Sequence, residues 1–91
     1  MNRARGEVEL IVGGDVRTLC LTLGALAELE AAFGCQSLTE LQVRLTQLSA
    51  TELATVLSIL LKAAGSPADT ERVAPGEAAR AVAAAFHAAL G

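Results

Sequence analysis

His87 is the one histidine of the chain and the first side chain to test for chemistry. General acid–base work near neutral pH needs an imidazole oriented by a hydrogen-bonding partner. No carboxylate stands three or four residues from His87 on its helix, so its spacing reads as a surface histidine. Ser37 and Ser49 open the strings SLTE and SATE, which explains both as helix caps. Ser58 and Ser66 have no nearby base that would activate a nucleophile. Cys20 and Cys35 are far apart, belong to no CxxC and have no histidine pair, so no metal is expected. They read as reduced thiols that pack as small hydrophobes. Gly13-Gly14 lies between two strand patterns, outside the glycine-rich contexts that cradle phosphate before a helix. Glu28 and Glu30 are a pair of carboxylates, but two residues apart on a helix they diverge by about 200° and cannot share a ligand. They form either a solvated edge or a recognition edge for a partner. The residues therefore carry no catalytic constellation, and no cofactor is expected.

The elements that position these residues follow from apolar periodicity. Glu7 to Val12 alternates, with Val8, Leu10 and Val12 on one face and Glu7, Glu9 and Ile11 on the other. Gly13-Gly14-Asp15 supplies a hairpin turn and Val16 to Leu21 the returning strand. In RTLCLTLGALAELEAAFG, Arg17 to Gly34, alternation at Leu19, Leu21 and Leu23 passes into helical spacing at Leu26, Leu29 and Phe33. Thr22 is the expected N-cap and Gly34 the expected C-terminal stop. Leu38, Leu41, Leu45 and Leu48 form one stripe. The second capping box, at Ser49, predicts a corner near Gln47–Ser49 and a separate third helix. That helix carries the stripe Leu53, Val56, Leu57, Leu60, Leu61 and Ala64, with Ile59 off it. Gly65-Ser66-Pro67 ends it, and Asp69 to Val73 can form one helical turn. Pro75 suits the first turn of a final helix. Ala79, Val82, Ala83, Phe86 and Leu90 are expected to face inward there, with Glu77, Arg80, Ala84 and His87 opposite.

The fold class is thus α+β and mostly α, a two-stranded antiparallel hairpin followed by about four short helices packed as a small bundle. One domain is expected over 1–91: a loose stretch at 1–5, the β-hairpin at 6–21, three helices within 22–64, a connector at 65–74 and the final helix at 75–90. The chain is 53% hydrophobic yet has only two aromatics, Phe33 and Phe86, so its core must be built from Leu, Ala and Val. Its net charge of −3 and scattered basic residues exclude the cationic stripe that nucleic acid requires. No apolar run approaches the roughly 20 residues of a membrane span, and MNRARGEVE lacks the apolar segment of a signal peptide. The expected location is the cytoplasm. The leucine and alanine stripes either bury one another completely or leave an exposed apolar face for a partner helix or a homo-oligomer.

The opening RGEVEL, the turn, TLCLTLGALAELEAAFG and the two capped helices resemble the small tail proteins of gene transfer agents and related siphophages. The likeness is best over Arg5 to Leu61, centred on LTLGALAELE. Proteins of this kind are described as tail assembly chaperones, and some family titles call them tail tube. The resemblance implies a helical, non-enzymatic chaperone that binds the tape-measure protein, recruits tail-tube subunits and is absent from the finished particle. Its alternative is a structural tube component, against which one short hairpin weighs, because tube subunits need strands that join into a ring. A small adaptor unrelated to phage is a third reading. Residues 21–34 match the family's most recognisable motif. That makes Leu23, Leu26, Glu28, Leu29, Glu30 and Phe33 candidates for partner contact or its scaffold, with Leu23, Leu29 and Phe33 read as core. Together with Ile59 and Leu60, the expected contact set is Leu26, Glu28, Glu30, Ile59 and Leu60.

Overall fold

The computed structural model describes residues 7–90; the expected loose stretch at 1–5 lies outside them. β1 (Glu7–Val12) and β2 (Asp15–Cys20) pair antiparallel with Val12 opposite Asp15 and Glu7 opposite Cys20. The two residues between them, Gly13 and Gly14, have φ of 58° and 90°. Positive φ at both turn positions is the geometry whose twist matches the strands, and glycine adopts it without a Cβ clash. Val8, Leu10 and Val12 are buried as their alternation predicts, and Ile11 and Val16 face each other outside.

Four α-helices follow: α1 (Leu23–Phe33), α2 (Leu38–Arg44), α3 (Ala50–Ala63) and α4 (Pro75–Leu90), with a 3₁₀ turn at Thr70–Arg72. The caps read from sequence are in place. Thr22 Oγ1 accepts from the Ala25 amide at 3.0 Å, and Gly34 ends α1 at φ 65°. Ser49 and Glu52 exchange both bonds of a capping box. At α2 the box is displaced by one residue. Ser37 accepts from the Glu40 amide, but the Glu40 carboxylate reaches back to the amide of Gln36 rather than Ser37.

The core forms where the hairpin lies on the helices, β1 against α4 and β2 against α3, while α1 packs on the other side of α3. Leu19, Leu29, Leu41, Leu57, Leu60 and Leu61 are sealed in it. Two polar contacts fasten the free edges of the hairpin. Arg80 donates to the Glu9 carbonyl at 3.3 Å, and the Thr18 amide donates to Ser66 Oγ at 3.3 Å. An edge strand with occupied groups is a poor template for further pairing.

Two expectations about faces are corrected, and a third position departs from strand alternation. Leu23 is not core: it begins α1 and is 82% exposed, because the chain has turned from strand to helix and the strand's phase no longer applies. Cys20 is buried, as its reading as a small hydrophobe expects, but between buried Leu19 and Leu21, so alternation has already lapsed at the end of β2. On α4 the buried face is Ala78, Ala81, Val82 and Ala85. Of the expected inward stripe, only Val82 belongs to it; Ala79, Ala83 and Leu90 are exposed and Phe86 is half-buried. Small side chains let α4 approach β1 and α3 closely, and the bulkier face is left outside.

Candidate functional site

The outer face of α4 is one wall of a groove. Ala79, Val82, Ala83, Phe86, His87 and Leu90 line it from that side, at the spacing of a single helical stripe. The opposite wall is the α2–α3 corner, with Gln42, Leu45, Thr46 and Leu48, and Leu53 of α3 also contributes. The open volume is about 600 Å³. The groove exists because α2 is only seven residues long and supplies one fully buried side chain, Leu41. Leu45 and Leu48 then fall in the corner, where they pack against the core from its margin. Ala79 and Ala83 across from them are too short to close the gap.

The corner is held by Arg44. Its guanidinium lies 5.3 Å from the centroid of the Phe33 ring, donates to the Gln47 carbonyl at 3.0 Å, and pairs with Glu52. Glu52 is the capping carboxylate of α3, so one cation joins the end of α1, the end of α2, the corner and the start of α3. A guanidinium suits this place because it stacks on a ring and donates in its plane at once. On α4, Arg80 bonds Glu77 through Nε at 3.1 Å and Nη2 at 2.5 Å. That bond, with the charge of Arg80, holds the Glu77 carboxyl below the ordinary glutamate range.

Among the described residues His87 is the only ionisable one lining the groove, and no carboxylate side chain lines it beside the imidazole. Among the described residues no three His, Cys, Asp or Glu side chains stand together to hold a metal ion, and no helix is long and apolar enough to cross a membrane. Such a surface offers apolar contact area from which water is readily excluded.

The family model described as phage tail tube protein, GTA-gp10, matches residues 5–91. The chain belongs to that family. No curated protein and no solved structure matches it. The GTA-gp10 match spans the hairpin, all four helices and the groove, so both groove walls lie within the family's own extent. That goes beyond the stretch over which the sequence resemblance is best, Arg5 to Leu61.

The expected contact residues fall elsewhere. Leu26 and Leu60 are buried, Leu60 completely, so they support the core and present no surface. Glu28 is exposed and bonded to Lys62 Nζ at 3.0 Å, tying α1 to α3. Glu30 is half-buried, and its backbone carbonyl accepts from the amides of Gly34 and Cys35 at the end of α1. Ile59 is half-buried against the core. None of the five lines the groove. The apolar residues that do are ones whose spacing predicts an inward face, whereas His87 was expected on the opposite face and Gln42 and Thr46 carried no expectation. The signal that separates them is that α4 is apolar on two faces, and only the smaller of these fits against β1 and α3.

Proposed function

We propose that this protein is a non-enzymatic component of the tail tube of a gene transfer agent or siphophage-like particle, and that it holds a neighbouring tail protein in the α2–α4 groove. One observation carries the reading: a chain of the tail tube family keeps an apolar groove open on an otherwise well-sealed core. Uncovered apolar surface of this kind marks an interaction site. The walls offer stacking area and no reactive group, which supports binding as the activity.

A second reading is favoured by the hairpin. Its sheet has two six-residue strands whose edges are each fastened by a side chain, so it offers little for a strand-built ring. In this reading the protein is a tail assembly chaperone, bound to the tape-measure or tube protein in the cytoplasm and lost before the particle is complete. Quantitative mass spectrometry of purified particles separates the two. Stoichiometric presence supports the resident component. Absence from particles, with co-purification of tape-measure or tube protein from cells, supports the chaperone. If neither is found, both readings fall.

A further inference from the structure

We infer that α2 and the corner after it form a hinged lid, which opens as one unit while the hairpin, α3 and α4 stay folded. The inference concerns motion within one chain and does not depend on what the groove binds. It starts from how little holds α2. An isolated helix shorter than about 12 residues is marginal in water, so the seven residues of α2 need tertiary contacts to stay helical. Those contacts are few. α2 packs chiefly on α1, and Leu41 is its one enclosed side chain. Leu38 and Val43 are 43% and 67% exposed. By contrast α3 encloses Val56, Leu57, Leu60 and Leu61. The free energy of local opening follows this difference in buried contact.

The hydrogen bonds isolate the same segment. Backbone bonds of residues 36–48 close within it: Leu41 to Ser37, Leu45 to Leu41, Thr46 to Val43 and Gln47 to Arg44. The Glu40 carboxylate and Ser37 hydroxyl also serve amides inside it. Among the described residues, the one hydrogen bond that leaves the segment runs from Arg44 to Glu52. Arg44 is the last residue of α2, and its guanidinium also stands over the Phe33 ring, so a single side chain latches the lid to α1 and α3. Both ends can swing. Gly34 holds φ 65°, and beyond its chain neighbours nothing comes within 4 Å of a Cβ built there. The other hinge is the corner before the Ser49 cap. Element-terminal residues of this kind absorb the backbone rotation of a hinge. Because Leu45 and Leu48 line the groove, opening withdraws its second wall and uncovers the core beneath Leu41.

The test is native-state hydrogen exchange of the full 91-residue chain, each rate corrected for its unprotected value, over a denaturant series below the unfolding transition. The amides of Leu41 and Leu45 report the lid, and that of Leu60 reports the sealed core. The lid amides should exchange together, at least about a hundredfold faster than Leu60 and with little dependence on denaturant. Gly13→Ala strains the hairpin, which is folded whether the lid is open or closed. It should speed Leu60 about tenfold and leave Leu41 and Leu45 unchanged. Glu52→Gln keeps an oxygen for the Ser49 amide but removes the charge that Arg44 meets, and should speed both lid amides about threefold. Lid amides that share the rate of Leu60, or that follow it in Gly13→Ala, overturn the inference, because α2 then opens only with the whole fold. Lid amides without protection overturn it too, since no closed state exists. So does a Leu45 rate that moves independently of Leu41, or a lid indifferent to Glu52→Gln.

Discussion

The two ends of α3 meet opposite fates. Toward its C-terminus, Leu57, Leu60 and Leu61 are enclosed by β2 on one side and α1 on the other. Toward its N-terminus, Leu53 lies against α4 and the corner, half-buried, on the lining of an open groove. The same periodic stripe runs through both ends. The difference lies in the neighbours: the closed end is covered by β2 and α1, whereas the open end faces the gap between the α2–α3 corner and the Ala79–Ala83 stretch of α4. A stripe therefore specifies which residues seek cover, while the size of the facing side chains decides whether they find it.

The sharpest way to break this comparison is Leu60→Ala. At the sealed end it removes a fully enclosed side chain and should cost about 2–5 kcal/mol in denaturant unfolding. A loss near zero would mean that the closed end is as loose as the open one. Gly13→Ala comes next, at roughly 1–2 kcal/mol for an L-residue forced to positive φ. Its Cβ would also come within 3.1 Å of the Arg72 guanidinium, which must move aside. Ser49→Ala, at the start of α3 beside the groove, should cost about 1 kcal/mol through loss of the capping bond. Ala83→Glu at the open end should change stability by no more than about 0.5 kcal/mol. A large loss there would show that the α4 face is covered within the monomer.

The smallest effect concerns pH. Glu77 titrates below the ordinary glutamate range in the folded chain because Arg80 bonds its ionised form. A lowered folded value contributes stability that is present above the ordinary range and is lost as pH falls through the folded value. Both residues are solvent-exposed, so screening keeps the contribution slight. Glu77→Gln should flatten the acid limb of a thermal-midpoint profile by a small amount and leave the neutral region unchanged. A large shift at pH 7 would contradict this.

Much of the architecture was legible because it rests on residues with one conformational use. Gly13-Gly14 specifies a two-residue turn and with it the register, and Thr22 and Ser49 specify where helices begin. The groove was less legible, for a physical reason. Alanine fits both a close helix contact and an exposed surface, so the two faces of α4 have no difference in polarity to tell them apart. Leu23 misled for another reason. The Thr22 cap turns the chain at that point, and a leucine in phase with the strand emerges out of phase with the helix. Leu26 and Leu60 lie on the apolar stripes of α1 and α3, and the spacing that marks those stripes as core is what the structure obeys at both positions. The family's description adds the setting, the tail tube, which no arrangement of side chains on this chain spells out.

Arg44 gives the groove two walls of unlike character. The α4 wall is a continuous backbone cylinder and keeps its shape in any buffer. The corner wall is tethered by an ionic head group open to solvent, whose attraction to Glu52 fades as counterions shorten the range of charge. Raising ionic strength should therefore slacken the corner first, seen as faster amide exchange at Leu45 to Leu48 with protection at Leu60 preserved. On the binding role proposed above, one side of the cleft would stay fixed while the other adjusts, which would let it take occupants of somewhat different girth.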